Sequence, residues 1–336
     1  MQSLGEQIWA PIEAAFPGKF AHVIISPDGQ LSFLSFATLL LPNDQFLGEK
    51  YSIRYVASGR DLLRTKTVAA DGATIVYANP DFGRNAPAPV KVAETTLRDV
   101  EMRDLRGLSL AQLPGTENEA RALEQRGRNV KTFLGPAATE ESLREISSPR
   151  VLHLATHGFF LPEAARPALS PSGRSPSEAP KLQMNNPMHR SGLAFAGAQN
   201  TLEAWSRGEV PAPRTDGILT AEEVGALKLD RTWLVVLSAC DTGSGEARAG
   251  EGVMGLRRGF VQAGAQNLLM TLWPISDQTT VDLMLDFYDA ALRTRNAPQA
   301  LADTQRDWLV KLRREKGLLA AVRLAGPFIM SSQGKP

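Results

Sequence analysis

Two short, almost wholly apolar runs constrain the fold of this chain more than any other feature. Val151-Leu-His-Leu-Ala-Thr156 and Leu234-Val-Val-Leu237 show none of the apolar/polar alternation of a strand with one wet face. Such runs read as strands covered on both sides, the setting of a parallel sheet in an α/β protein. Both also end alike. The first runs into His157-Gly158, and the second into Ser238-Ala-Cys240 and the glycine-rich Asp241-Thr-Gly-Ser-Gly245. Open α/β sheets build their sites at the carboxyl ends of their strands, so if the two runs are neighbours, His157 and Cys240 emerge together at that edge.

The rest of the chain supports an α/β reading. Short strands are predicted at His22–Ser26, Leu31–Phe36, Tyr51–Val56 and Ala73–Ala78, giving a mixed sheet in the first third. Thr116-Glu-Asn-Glu119 and Thr220-Ala-Glu-Glu223 have the form of capping boxes, and a further helix opens at Thr139. After Cys240 come a helix over 252–263, a strand over 267–273, and helices over 277–293 and 298–315. Between the His157 strand and Ser191 the chain is rich in proline and serine, and a stretch of that length without regular structure reads as a lid, a binding loop or an insert.

Composition excludes several classes. The chain has 336 residues, 43% hydrophobic and 22% charged, enough for one large or two ordinary globular domains. With 37 basic and 36 acidic residues the formal charge is +1, so no global field draws it to nucleic acid or membrane. The single cysteine rules out an internal disulfide, and no signal peptide or long apolar span is visible, which reads as a cytoplasmic, reducing compartment. The opening residues have helical spacing and leave room for a partner domain before residue 1. No phosphate loop, H-E-x-x-H motif or cysteine-histidine cluster calls for a cofactor or a metal.

The chemistry suited to Cys240 and His157 is acyl transfer. A free thiol, pKa about 8.5, is mostly protonated near neutrality, yet its thiolate is a strong nucleophile. An imidazolium would stabilise the thiolate and later protonate a leaving amine. The backbone N–H groups of Gly158 and Cys240 could form an oxyanion hole, worth roughly 3 kcal/mol per donor. His153, deeper in the same run, reads as a satisfied core histidine. Asp241 reads as a loop residue bonding local backbone, with orientation of His157 as its other role; Asp277 reads as an N-cap or a carboxylate lining a substrate pocket, and Glu251 is a second candidate for that pocket.

Taken together, these motifs resemble the CHAT family, caspase-like domains related to separases and often attached to tetratricopeptide repeats. The resemblance is carried by Ile25-Ser-Pro-Asp-Gly-Gln-Leu31, Leu113-Pro-Gly-Thr-Glu-Asn-Glu-Ala120, His153-Leu-Ala-Thr-His-Gly158, Arg190-Ser-Gly-Leu-Ala-Phe-Ala-Gly197, Leu237-Ser-Ala-Cys-Asp-Thr-Gly243 and Gly264-Ala-Gln-Asn-Leu-Leu-Met-Thr-Leu-Trp-Pro-Ile-Ser-Asp277. It implies a caspase-like α/β/α sandwich with a mostly parallel sheet. Within it, a degenerate subdomain would span residues 1–145 and an active one 146–336, with a long loop over 159–190. It further implies a cysteine endopeptidase of the caspase and separase clan with a dyad at His157 and Cys240, Gly158 at the oxyanion site, and Asp277 in a pocket for a basic P1 side chain.

Several members of that family are proteases switched on in bacterial immunity or cell death by a partner. The expectation is therefore a latent enzyme that cuts a dedicated protein substrate, with an activating protein or a tetratricopeptide-repeat sensor as its partner. The alternative is a caspase-like scaffold that binds proteins and no longer cuts.

Overall fold

The computed structural model describes residues 4–64, 68–84, 109–127, 129–160, 188, 191–207, 209, 215–238, 250–273 and 278–334. A π-helical turn, Gly5–Trp9, continues as α1 (Ala10–Ala14), followed by β1 (His22–Ile25), α2 (Leu47–Lys50), β2 (Ser52–Tyr55) and β3 (Thr74–Pro80). Next come α3 (Pro114–Arg126), β4 (Val130–Gly135), α4 (Glu140–Arg144), β5 (Val151–Ala155) and β6 (Gly158–Phe160). Then follow β7 (Ser191–Ala194), α5 (Ala198–Ser206), β8 (Ile218–Thr220), α6 (Ala221–Gly225) and β9 (Leu234–Leu237). Beyond these lie α7 (Gly250–Gln262), β10 (Asn267–Thr271), α8 (Gln278–Thr294), α9 (Ala297–Lys316), α10 (Leu318–Ala325) and β11 (Phe328–Ser332).

Eight strands form one sheet in the order β1-β2-β11-β10-β9-β5-β3-β4. Every pairing in it is parallel except β10 with β11. The two apolar runs are indeed neighbours: β5 pairs in parallel with β9, with His153 opposite Val236 and Leu154 opposite Leu237. All five residues of β5 and all four of β9 are buried. Successive side chains point to opposite faces. Leu152, Leu154, Val235 and Leu237 join a core completed by Val224 of α6 and by Leu256 and Phe260 of α7. Val151, Ala155, Leu234 and Val236 pack against α3, α8, α9 and α10 through Leu123, Phe287, Leu309 and Ala325. The result is a three-layer α/β/α sandwich, as expected. Strands from residues 1–145 and from 146–336 interleave in the one sheet.

Three expectations are corrected. Leu31–Phe36 is not a strand. Asp28 accepts the Gly29 N–H at 2.8 Å, Gly29 takes φ +53°, and the chain winds into 3-10 turns at Gly29–Phe33 and Phe36–Thr38. Residues 159 and 160, expected in the long loop over 159–190, lie in β6 instead: Gly158–Phe160 pairs antiparallel with β7 and Phe159 is buried in a third cluster; residues 161–187, 189 and 190 lie outside the described residues. Thr116-x-x-Glu119 is not a capping box either. Pro114 opens α3 three residues after Ala111, Thr116 Oγ1 donates to the Leu113 carbonyl at 2.8 Å, and Glu119 turns into the core. The second box holds: Thr220 Oγ1 accepts from Glu223 N, and Glu223 accepts from Thr220 N at 2.9 Å.

The turn from α7 into β10 depends on one glycine. Gly264 donates to the Val261 carbonyl and Ala265 to that of Phe260, the paired bonds that end a helix on a left-handed residue. Gly264 has φ +101°, and a Cβ there would lie 2.5 Å from Asp230 Cα. Gly264→Ala is therefore expected to destabilise the fold by roughly 2 to 4 kcal/mol in urea unfolding, from backbone strain plus a contact with main chain that cannot yield.

Candidate active site

Two residues past the end of β5, the chain turns sharply and enters β6, so that His157 sits on the corner between the large sheet and a small antiparallel sheet, β6-β7-β8. The His157 carbonyl accepts the Ala194 N–H at 2.9 Å, and Thr156 Oγ1 bonds the Ala194 carbonyl, so β7 grips the corner. Gly158 pairs with Leu193 in the first position of β6.

The imidazole of His157 is 4% exposed, and its Nε2 lies 2.7 Å from the Ala111 carbonyl. A carbonyl only accepts, so Nε2 carries the proton. In the neutral ring Nδ1 then bears the lone pair, and Nδ1 has no hydrogen-bond partner among the described residues. The Phe82 ring packs on the imidazole at 5.1 Å between centroids. Ala111 is itself held from both sides. Leu110 N donates to Gln199 Oε1 at 3.0 Å, and Leu113 N donates to Asn79 Oδ1 at 2.8 Å, with Asn79 in a φ +43° conformation at the end of β3. This brace is invisible in the sequence, because any residue carries a carbonyl.

Beneath this corner lies a second polar cluster. His153, on the α3/α8 face of β5, is fully buried with Nδ1 2.7 Å from the Tyr288 hydroxyl. The expectation of a satisfied core histidine is met at that nitrogen, while Nε2 faces Glu119 Oε1 at 3.6 Å, too far for a hydrogen bond. Ser238, at the end of β9, donates to Glu119 Oε2 at 3.4 Å. Burial shapes all three titratable groups. It pushes the Glu119 carboxyl up to about 7, against a weak opposing effect from the Ser238 hydroxyl. It pushes the His153 imidazole down to about 3 and the Tyr288 phenol up.

Of the residues singled out in the sequence, the structure places His157 and Gly158 together at the corner after β5. Glu251 falls in the first turn of α7. Cys240, Asp241 and Asp277 lie outside the described residues, as does His189. No sequence pattern marks Ala111, Phe82 or Glu119 as neighbours of this site.

A mostly parallel α/β/α sandwich with an imidazole braced at the carboxyl edge of its sheet defines the class of the molecule. The family model of the CHAT domain matches residues 1–323, and the chain belongs to that family. Tetratricopeptide repeat protein 28 of Homo sapiens is 24% identical over 316 residues, covering 91% of this chain and 12% of that protein. Its counterpart in Mus musculus is 22% identical over 315 residues, with the same coverage of 91% and 12%. The chain thus spans 12% of the length of these curated relatives. Among solved structures, the Saccharomyces cerevisiae separase–securin complex is similar at a TM-score of 0.45 and 9% identity, covering 98% of this chain and 17% of that one. No helix among the described residues is long and apolar enough to cross a membrane.

Proposed function

We propose that the protein is a cysteine endopeptidase of the caspase and separase type, with Cys240 as nucleophile and His157 as its acid–base partner. The observation that carries this reading is the state of His157. Its Nε2–H is committed to the Ala111 carbonyl, leaving Nδ1 as the one nitrogen for proton transfer, at the end of a strand that abuts β9 in register. From the opposed pair Leu154 and Leu237, three more residues along each chain reach His157 and Cys240.

In this reading Nδ1 takes the thiol proton, and the Ala111 carbonyl steadies the resulting imidazolium through Nε2–H. The thiolate attacks the substrate carbonyl carbon, whose oxygen becomes an oxyanion held by the N–H groups of Gly158 and Cys240. As the carbon–nitrogen bond breaks, Nδ1–H protonates the leaving amine. Water then hydrolyses the thioester, returning the thiol and releasing the new carboxyl terminus. Asp277 and Glu251 are the carboxylates proposed for the substrate pocket, where either would favour a basic P1 side chain. The substrate is a protein, and an activating partner, such as a repeat domain like those named in the curated relatives, relieves latency.

The test is to incubate the wild type and Cys240→Ala with lysate of the source cell and to map new protein amino termini by mass spectrometry. Termini made by the wild type alone are the expected result, and a basic residue before them supports the pocket carboxylates. Identical termini from both proteins, in the presence of an activating repeat partner, would favour the scaffold.

A further inference from the structure

We propose that Glu119 is a positioning residue for Cys240: from α3, its buried carboxyl holds Ser238, two residues before Cys240 in the sequence, and so fixes the end of β9. The inference rests on the peptidase reading above and adds to it a residue that touches neither substrate nor thiol.

Four elements converge on Glu119. It projects from α3 between β5, β9 and α8, 4% exposed, in the mainly apolar layer that includes Ala120, Leu123, Ala155, Val236 and Phe287. A carboxyl in such a layer is costly unless it does something. Its Oε2 accepts from Ser238 Oγ, two residues before Cys240, while Ser238 N donates to the Leu154 carbonyl at 3.0 Å, three residues before His157. Ser238 thus ties the two strand ends to each other and to α3. The same helix and the segment leading into it supply the Ala111 carbonyl that holds His157. One stretch, Ala111 to Glu119, therefore reaches both arms of the dyad, the histidine through a main-chain carbonyl and the cysteine strand through a side chain.

The titratable groups facing Glu119 are His153 from β5 and Tyr288 from α8; β9 contributes only the Ser238 hydroxyl, and no lysine, arginine or aspartate among the described residues pairs with it. With no cation to offset it, the carboxyl stays neutral up to about pH 7 and then ionises. Oε2 is the oxygen that accepts from Ser238. Ionisation places an uncompensated charge beside β9, so the alignment of Cys240 acquires a pH dependence with its origin outside the dyad.

The experiment is the second-order rate of Cys240 alkylation by iodoacetamide between pH 5 and 9, on the full chain, for wild type, Glu119→Gln, Glu119→Leu, Ser238→Ala and His157→Ala. Glu119→Leu and Ser238→Ala are expected to slow alkylation at neutral pH about fivefold, the worth of one hydrogen bond. Glu119→Gln keeps an acceptor and cannot ionise, so it should restore the rate and remove the inflection near pH 7 from the profile. If Glu119→Leu does not fold, Ser238→Ala, which removes one hydroxyl, decides. Wild-type rates and profile in Ser238→Ala and Glu119→Gln, alongside a slow His157→Ala, would overturn the role of Glu119 and leave the peptidase reading standing. A wild-type rate equal to that of a free thiol and unchanged in His157→Ala, with an activating repeat partner present, would overturn both.

Discussion

Truncating Phe82 to alanine is expected to destabilise the protein by about 3 to 5 kcal/mol in urea unfolding, the range for removing a buried aromatic ring from a packed core. Phe82 is 1% exposed and belongs to the cluster that joins the small sheet to α5, with Phe159, Leu202, Trp205 and Ile218. Its main chain is also engaged, since its carbonyl accepts the Gln199 N–H at 2.9 Å, so the backbone cannot readily collapse into the void. Phe82→Leu, which refills most of the volume, should cost under about 1.5 kcal/mol. The pair separates packing from function. The ring lies on the His157 imidazole, so Phe82→Ala should also loosen the bond to the Ala111 carbonyl, read as a change in the His157 ring resonances by NMR. A cost below 1 kcal/mol for the alanine variant would mean the cluster does not close around this ring.

The second large effect is in the pH dependence of stability. The Glu119 carboxyl titrates at about 7 in the fold against an ordinary 4.5, so its contribution is fully present below pH 4.5 and is lost as pH rises to 7. His153 has the opposite sign: held at about 3 against 6.5, it contributes fully above pH 6.5 and loses that contribution as pH falls toward 3. Between 4.5 and 6.5 the unfolded chain carries its proton on the imidazole and the folded chain on the carboxyl. Proton counts match, and the slope from this pair is zero. In Glu119→Gln only the histidine remains, so stability should rise by roughly 1.4 kcal/mol per pH unit as pH goes from 4.5 to 6.5, about 3 kcal/mol in all. The wild type lacks this rise, so the variant gains on it between pH 4.5 and 7 by a similar amount, and above pH 7 the two curves run parallel. Parallel urea midpoints for the two proteins from pH 4.5 to 8 would show that the carboxyl and imidazole do not exchange a proton on folding.

The two predictions concern residues with contrasting visibility in the sequence. His153 was legible as a core histidine because it sits inside an unbroken apolar run. Glu119 has the sequence signature of half a capping box, since Thr-x-x-Glu before a helix is the pattern of one. What defeated that reading was Pro114: its fixed φ and missing N–H start α3 two residues before Thr116, so Glu119 falls a turn deeper, on the buried face.

The sequence by itself determined what depends on chain-local pattern. Apolar runs without alternation set β5 and β9 as doubly covered strands, Thr220 and Glu223 set the start of α6, and the order of motifs set the family. The tertiary structure decided what depends on residues distant in the chain. That β9 lies against β5, that a carbonyl 46 residues upstream selects the His157 tautomer, and that Glu119 meets Ser238 across 119 residues are products of packing. Hydrogen bonds of this kind leave no periodicity behind, because a carbonyl belongs to every residue and a buried carboxyl is tolerated only where the fold has brought its partners.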